Sequence, residues 1–208
     1  MENVTNYIWD FDGTLFDTYL GIVEAAQKAL ADHGYYPSLK EITFIMKKES
    51  TKSLREKFGL SDEAFTPLFH QYEKESGKIA KPFPEAKTVL EQLKQEGKKH
   101  YVLTHRLTQS TWDLLAHYQM ADLFEEVVGL DKAFPRKPDP ASLNYLIQTH
   151  KMTKDQTIMI GDRSLDIEAG KRAGIKTCLY DRDHFLGSAG ADWTVADLRE
   201  MLTIQGFE

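Results

Sequence analysis

The stretch Tyr7-Ile8-Trp9-Asp10-Phe11-Asp12-Gly13-Thr14 joins a short apolar run to two carboxylates set two positions apart, then to a glycine. An apolar run this short reads as a buried strand when helices flank it, and side chains two apart on an extended chain share a face. A glycine at its end lets the backbone turn sharply. Working outward, similar runs recur at Tyr101-Val102-Leu103, Val127-Val128-Gly129, Thr157-Ile158-Met159-Ile160 and Thr177-Cys178-Leu179. Helix punctuation separates them. Pro84 stands at a first helical position, with Val89, Leu90 and Leu93 as the apolar stripe and Gly97 as the stop. Asp139-Pro140 opens a second helix with Leu143, Leu146 and Ile147 on one face. Ser164 is expected to cap a third, carrying Ile167 and ending at Gly174. Strand–helix–strand repetition predicts an α/β fold, a doubly wound parallel sheet of Rossmann-like form.

Residues 16–80 break the alternation. Leu20, Val23, Gln27, Leu30 and Ala31 follow helical spacing up to Gly34. Ile42, Ile45 and Met46 predict another helix, as do Leu54 with Phe58, and Phe65, Leu68, Phe69 with Tyr72. The organisation expected is a core of 1–15 and 81–208 with a small all-helical domain of 16–80 inserted after the first strand. Lys81-Pro82-Phe83-Pro84 is the stiff return linker.

Composition bounds the function. The 208 residues are 41% hydrophobic, with a net charge of −6. Global disorder is excluded, and a basic nucleic-acid footprint is absent in bulk. The single Cys178 excludes an internal disulfide framework or a cysteine-based zinc site. No apolar run has membrane-spanning length, and Met1–Asn6 is polar rather than a signal peptide. A soluble cytoplasmic protein without nucleic-acid or membrane partners is expected, as monomer or dimer.

Three further segments lie at predicted strand ends, the edge where open α/β sheets bind ligands. Thr104 follows Leu103 and offers a hydroxyl with backbone N–H groups after it, a grip for a phosphate oxygen or an ordinary turn. Lys137 is held between Arg136 and Pro138 before a helix start, where an ammonium neutralises a phosphoryl group or simply faces solvent. Gly161-Asp162-Arg163-Ser164-Leu165-Asp166 sets two acids four apart at a helix start. Clustered with the first pair, these acids would bind a hard cation such as Mg²⁺. Capping a helix explains one of them better than both.

Together, Asp10-Phe11-Asp12-Gly13-Thr14, Thr104, Lys137 and Gly161-Asp162 with Asp166 resemble, in order and spacing, the haloacid dehalogenase-like superfamily, in its helical-cap, phosphoglycolate phosphatase-like branch. The resemblance spans the chain, the helical insertion matching the family's cap. It implies a Mg²⁺-dependent phosphomonoester hydrolase working on a small phosphorylated metabolite. Asp10 would be the nucleophile and Asp12 the acid and base. Mg²⁺ would be held by Asp10, Asp162 and the backbone carbonyl of Asp12, with Asp166 either a further ligand or an acceptor acting through a water. Thr104, His105 and Lys137 would hold the substrate phosphate. The second aspartate favours phosphoryl chemistry over carbon–halogen cleavage, because a departing alkoxide needs a proton.

Two departures stand out. His105-Arg106 replaces the Asn-Lys of many relatives, and Arg163 follows Asp162 where a small hydroxyl residue is usual. Each arginine either contacts substrate or pairs with a nearby acid, and pairing is favoured. Within the cap, Lys47, Lys48, Lys52 and Arg55 form a basic cluster, Lys52 being the expected contact for a second anionic group. The competing reading is a solvated, salt-bridged helix face. Rival functions are a phosphosugar mutase and a non-catalytic regulatory protein on the same scaffold. Gly13-Thr14 and the lack of a histidine before His33 oppose the first; retention of Asp10 opposes the second.

Overall fold

The computed structural model describes residues 4–75 and 80–204. Part of the polar opening segment, at 1–3, lies outside them. The chain divides into two compact units, Met1–Phe16 with Pro82–Glu208, and Asp17–Lys81.

The first unit begins with β1 (Asn6–Trp9), buried at all four residues. A two-residue strand, β2 (Phe16–Asp17), leads out of it. The second unit contains α1 (Tyr19–Ala31), α2 (Leu39–Lys48), α3 (Thr51–Lys57) and α4 (Asp62–Glu75). Its core is Val23, Ala26 and Leu30 of α1 with Ile42, Met46, Leu54, Phe65 and Phe69. Those positions are the apolar stripe of each helix, so burial follows from period 3.6. Pro67 sits inside α4, where it forfeits one backbone hydrogen bond, yet Phe65 and Phe69 keep the helix seated.

The chain returns through β3 (Lys81–Pro82), which pairs with β2. There follow α5 (Ala86–Gln95), β4 (Lys99–Leu103), α6 (Thr108–His117) and β5 (Phe124–Val128). Then come α7 (Ala141–Thr149), β6 (Thr157–Gly161), α8 (Ser164–Ala173), β7 (Lys176–Tyr180) and β8 (Trp193–Val195). Six strands form one parallel sheet in the order β5-β4-β1-β6-β7-β8. From β1 the chain winds outward through β4 and β5, then crosses back to β6 and winds the other way. The winding reverses beside the carboxyl end of β1, the position where this architecture opens a ligand crevice.

Alternation along the strands splits the core between two faces. Ile8, Tyr101, Leu103 and Met159 meet Leu143, Leu146, Ala169 and Ala173 of α7 and α8. On the opposite face Tyr7 stacks on Trp9, whose indole Nε1–H donates to His100 Nδ1 at 3.1 Å. His100 Nε2 lies 3.1 Å from the Leu90 carbonyl of α5. Burial pushes this imidazole down to about 4, so it stays neutral, accepting at Nδ1 and donating at Nε2.

Three local expectations shift. The third helix is not capped by Ser164, which is its first residue; Arg163 is the N-cap, and the Asp166 carboxylate accepts the Arg163 N–H at 3.2 Å. An acid three residues into a helix reaches back to the free N–H groups, which a serine inside the first turn does not. Pro84 stands before α5, which opens at Ala86 after Glu85. The edge strand β8, three residues long, gave no apolar run to read. No helix among the described residues is long and apolar enough to cross a membrane.

Candidate active site

Asp10 follows β1 directly and its N–H donates to Ile160 of β6 at 2.8 Å, so the sheet fixes its backbone. The chain then turns at once. The Phe11 carbonyl accepts from the N–H groups of Thr14, Leu15 and Phe16, and Gly13 takes φ 80°, in the left-handed region. Strand geometry therefore ends at Trp9, and the two carboxylates do not share a neighbour set. Asp10 points into the strand-end cluster. Asp12 Oδ1 instead accepts from Arg106 Nη1 at 2.8 Å.

Asp10, Asp162 and Asp166 are all buried, and each offers an oxygen within 4.8 Å of the others. Lys137 Nζ enters the same cluster, 2.6 Å from Asp10 Oδ1 and 2.5 Å from Asp166 Oδ1. It also donates to the Leu103 carbonyl at 3.3 Å. Burial works against the ammonium, but Asp10 and Asp166 outweigh it and push the group above its ordinary range. Lys137 is thus a permanent cation. Burial, reinforced by Asp166 and Asp162, raises the Asp10 carboxyl well above the carboxylate range against the pull of Lys137. Three acids share one ammonium in a buried site. This donor set is all oxygen and short of positive charge, so it fits a hard divalent cation such as Mg²⁺, which would keep Asp10 ionised.

Gly161 makes the cluster possible. A Cβ there would overlap Cβ, Cγ and Oδ2 of Asp166. The glycine lets the first turn of α8 lie against the end of β6, bringing Asp166 beside Asp10.

Thr104 is buried at the end of β4, its N–H on the Val128 carbonyl at 3.0 Å. Its Oγ1 accepts the Arg106 N–H at 3.1 Å, the turn arrangement, while its own O–H remains a donor. His105 Nε2 accepts the Lys137 N–H at 3.2 Å. Burial, then Lys137, Arg136 and Arg163, lower this imidazole to about 3, so it is neutral and holds the lysine loop rather than supplying charge.

Of the expected residues, the structure brings together Asp10, Asp162, Asp166 and Lys137, with Thr104 and His105 on the adjoining loops. Lys52 belongs to the helical unit, exposed and 3.8 Å from Glu56. Arg55 lies 3.2 Å from Asp62, and Lys48 stands over the Phe44 ring. Lys52 and Arg55 are thus near acids of the same helical unit, and Lys48 is near an aromatic ring. Lys47 differs: it is buried, its Nζ 4.8 Å from the Tyr19 ring centroid. Asp181, at the end of β7, is a strand-end acid with a structural task. Its carboxylate accepts from the N–H groups of Phe185, Leu186 and Gly187.

The model of one family, the haloacid dehalogenase-like hydrolases, matches residues 7–180. The chain belongs to that family. It is 32% identical to a phosphoglycolate phosphatase of Aquifex aeolicus, over 83% of this chain and 82% of the relative. It is 28% identical to one from Vibrio cholerae, over 98% of both chains. Among solved structures, a Streptococcus pneumoniae hydrolase is 29% identical with a TM-score of 0.68, covering 98% of this chain and all of that one. A Clostridium difficile structure, 23% identical with a TM-score of 0.79, shares the fold over 98% of this chain and 99% of that one. The chain is a phosphoglycolate phosphatase-like hydrolase, with the parallel-sheet α/β core of its family.

Proposed function

We propose that the chain hydrolyses phosphate monoesters of small metabolites with Mg²⁺, through an aspartyl-phosphate on Asp10. The observation carrying this reading is the buried Asp10–Asp162–Asp166 cluster with Lys137 at the sheet's reversal point. The carboxylates of Asp10, Asp162 and Asp166, with the backbone carbonyl of Asp12, would hold the cation. Bound there, Mg²⁺ supplies positive charge that lets an anionic carboxylate approach an anionic phosphate.

An Asp10 carboxylate oxygen attacks phosphorus, and the phosphorus–oxygen bond to the leaving group breaks. Asp12 donates its proton to the departing alkoxide. The Asp12 carboxylate then takes a proton from water, the resulting hydroxide attacks phosphorus, and Asp10 leaves as carboxylate with release of phosphate. Lys137 and the Thr104 hydroxyl hold the peripheral phosphate oxygens, where transition-state charge spreads. His105, neutral, keeps the Lys137 backbone in place.

The test is a panel of phosphorylated metabolites, phosphoglycolate included, scored by kcat/KM with Mg²⁺ beside p-nitrophenyl phosphate. Turnover is expected to vanish on chelation and in Asp10→Asn. Acid-quenched wild type should carry phosphate on Asp10 by mass spectrometry. Full activity in purified Asp10→Asn would overturn the scheme.

A further inference from the structure

Arg106 stands two residues beyond Thr104, and its surroundings are built rather than incidental. Its N–H donates to Thr104 Oγ1 at 3.1 Å, and its carbonyl accepts the Leu130 N–H at 2.8 Å. Gly129 permits that approach, since a Cβ there would come within 2.6 Å of the Arg106 carbonyl oxygen. The side chain crosses from this pinned backbone to the β1 turn. Its Cζ stands 5.8 Å from the centroid of the Phe11 ring, and its Nη1 donates to Asp12 Oδ1 at 2.8 Å. Its Nε–H is buried without an acceptor among the described residues. A guanidinium placed only for structural pairing has little reason to forgo a buried donor's partner. Asp12 itself is half-buried and lies outside the three-acid cluster, so Arg106 sets which way that carboxylate faces.

We propose that Arg106 is the positioning residue for Asp12, fixing the direction from which that carboxyl group meets the oxygen leaving phosphorus. This rests on the reading of Asp12 as acid and base. A planar guanidinium pinned at its backbone and held within cation–π range of an aromatic ring restricts a carboxylate far more than a mobile ammonium does. Misplacing a proton donor costs most when the leaving oxygen is basic, and least when it departs readily without help.

The experiment measures single-turnover release of the leaving group from p-nitrophenyl phosphate and from phenyl phosphate with Mg²⁺. The enzymes are wild type, Arg106→Ala, Arg106→Lys, Asp12→Asn and the Asp12→Asn/Arg106→Ala double variant. Single turnover isolates phosphoenzyme formation from its hydrolysis. Arg106→Ala should slow both esters, and phenyl phosphate of order tenfold more, a part of the ~10²–10⁴ typical of general acid–base catalysis. Arg106→Lys should recover part of that selective loss. In the Asp12→Asn background, removing Arg106 should cost little more, because the two act as one unit. An equal loss on both esters, losses that multiply in the double variant, or faster release in Arg106→Ala would overturn the inference. If Asp12→Asn itself leaves phenyl phosphate release unchanged, the acid–base reading falls, and Arg106 with it. If Asp12→Asn is impaired while Arg106→Ala acts equally on both esters, only the role of Arg106 falls.

Discussion

His100 shows how one residue ties the sheet to a helix. It is buried between Trp9 Nε1–H and the Leu90 carbonyl, neutral, with its imidazole pushed down to about 4. An unfolded chain would protonate the same ring near ~6.5. Between those values the unfolded state binds more protons, so stability falls as pH drops through the window and is fully present above it. At pH 5 the loss relative to neutral pH is about 2 kcal/mol. Urea unfolding midpoints should therefore drop between pH 7 and pH 5, and drop less in His100→Gln, which cannot titrate. A similar drop in both proteins would remove His100 as the cause. Gly161 acts at the same scale on the site. In Gly161→Ala the new methyl displaces Asp166, and a misplacement of that size costs ~10² in kcat. Unchanged turnover would mean that α8 can recede freely.

Among the elements, helix α2 carries the plainest local signal. Ser38, extended at φ −69° and ψ 151°, accepts the Glu41 N–H through its side chain at 3.2 Å. Ser38→Ala should cost about 1 kcal/mol in urea unfolding, the usual worth of an N-cap. The loop after β7 has no such regular pattern. It is organised by the Asp181 carboxylate, which collects three backbone N–H groups. Removing an ionised acceptor from partly buried donors costs about 2–3 kcal/mol, so Asp181→Ala should destabilise more than Ser38→Ala. The reverse order would show that the loop draws its shape from another source.

At the scale of the molecule, the three acids of the cluster come from the ends of β1 and β6 and the start of α8, some 150 residues apart in sequence. A cation bound there recognises only the folded chain. Mg²⁺ should raise Tm, with about 2.7 kcal/mol of stabilisation at a hundredfold excess over Kd. Asp162→Asn should weaken the response strongly. A Tm indifferent to Mg²⁺ in the wild type would argue against a cation site at these residues, whatever the activity. The net charge of −6 gains a local meaning as well, since acids gathered round Lys137 and a metal make a site that accepts an anion.

Much of this was legible before any coordinates. Five of the six sheet strands and the four helices between Tyr19 and Glu75 follow from apolar runs and helical periods, both short-range patterns, whereas Asp10, Asp162, Asp166 and Lys137 were singled out together only by the order and spacing that the family resemblance supplies. Strand β8 escaped because three residues, of which only Val195 is buried, carry too little apolar signal against their polar flanks. The separation of Asp12 from Asp10 escaped because a turn closed by the Phe11 carbonyl overrides strand alternation. Arg106 was a choice between substrate and acid, and only the fold brings residues 94 positions apart to 2.8 Å. Local sequence determined which groups stand at the sheet edge, because periodicity and chain stiffness act over a few residues. Tertiary structure alone decided which carboxylate meets which cation, because those partners are set by packing between segments remote in the chain.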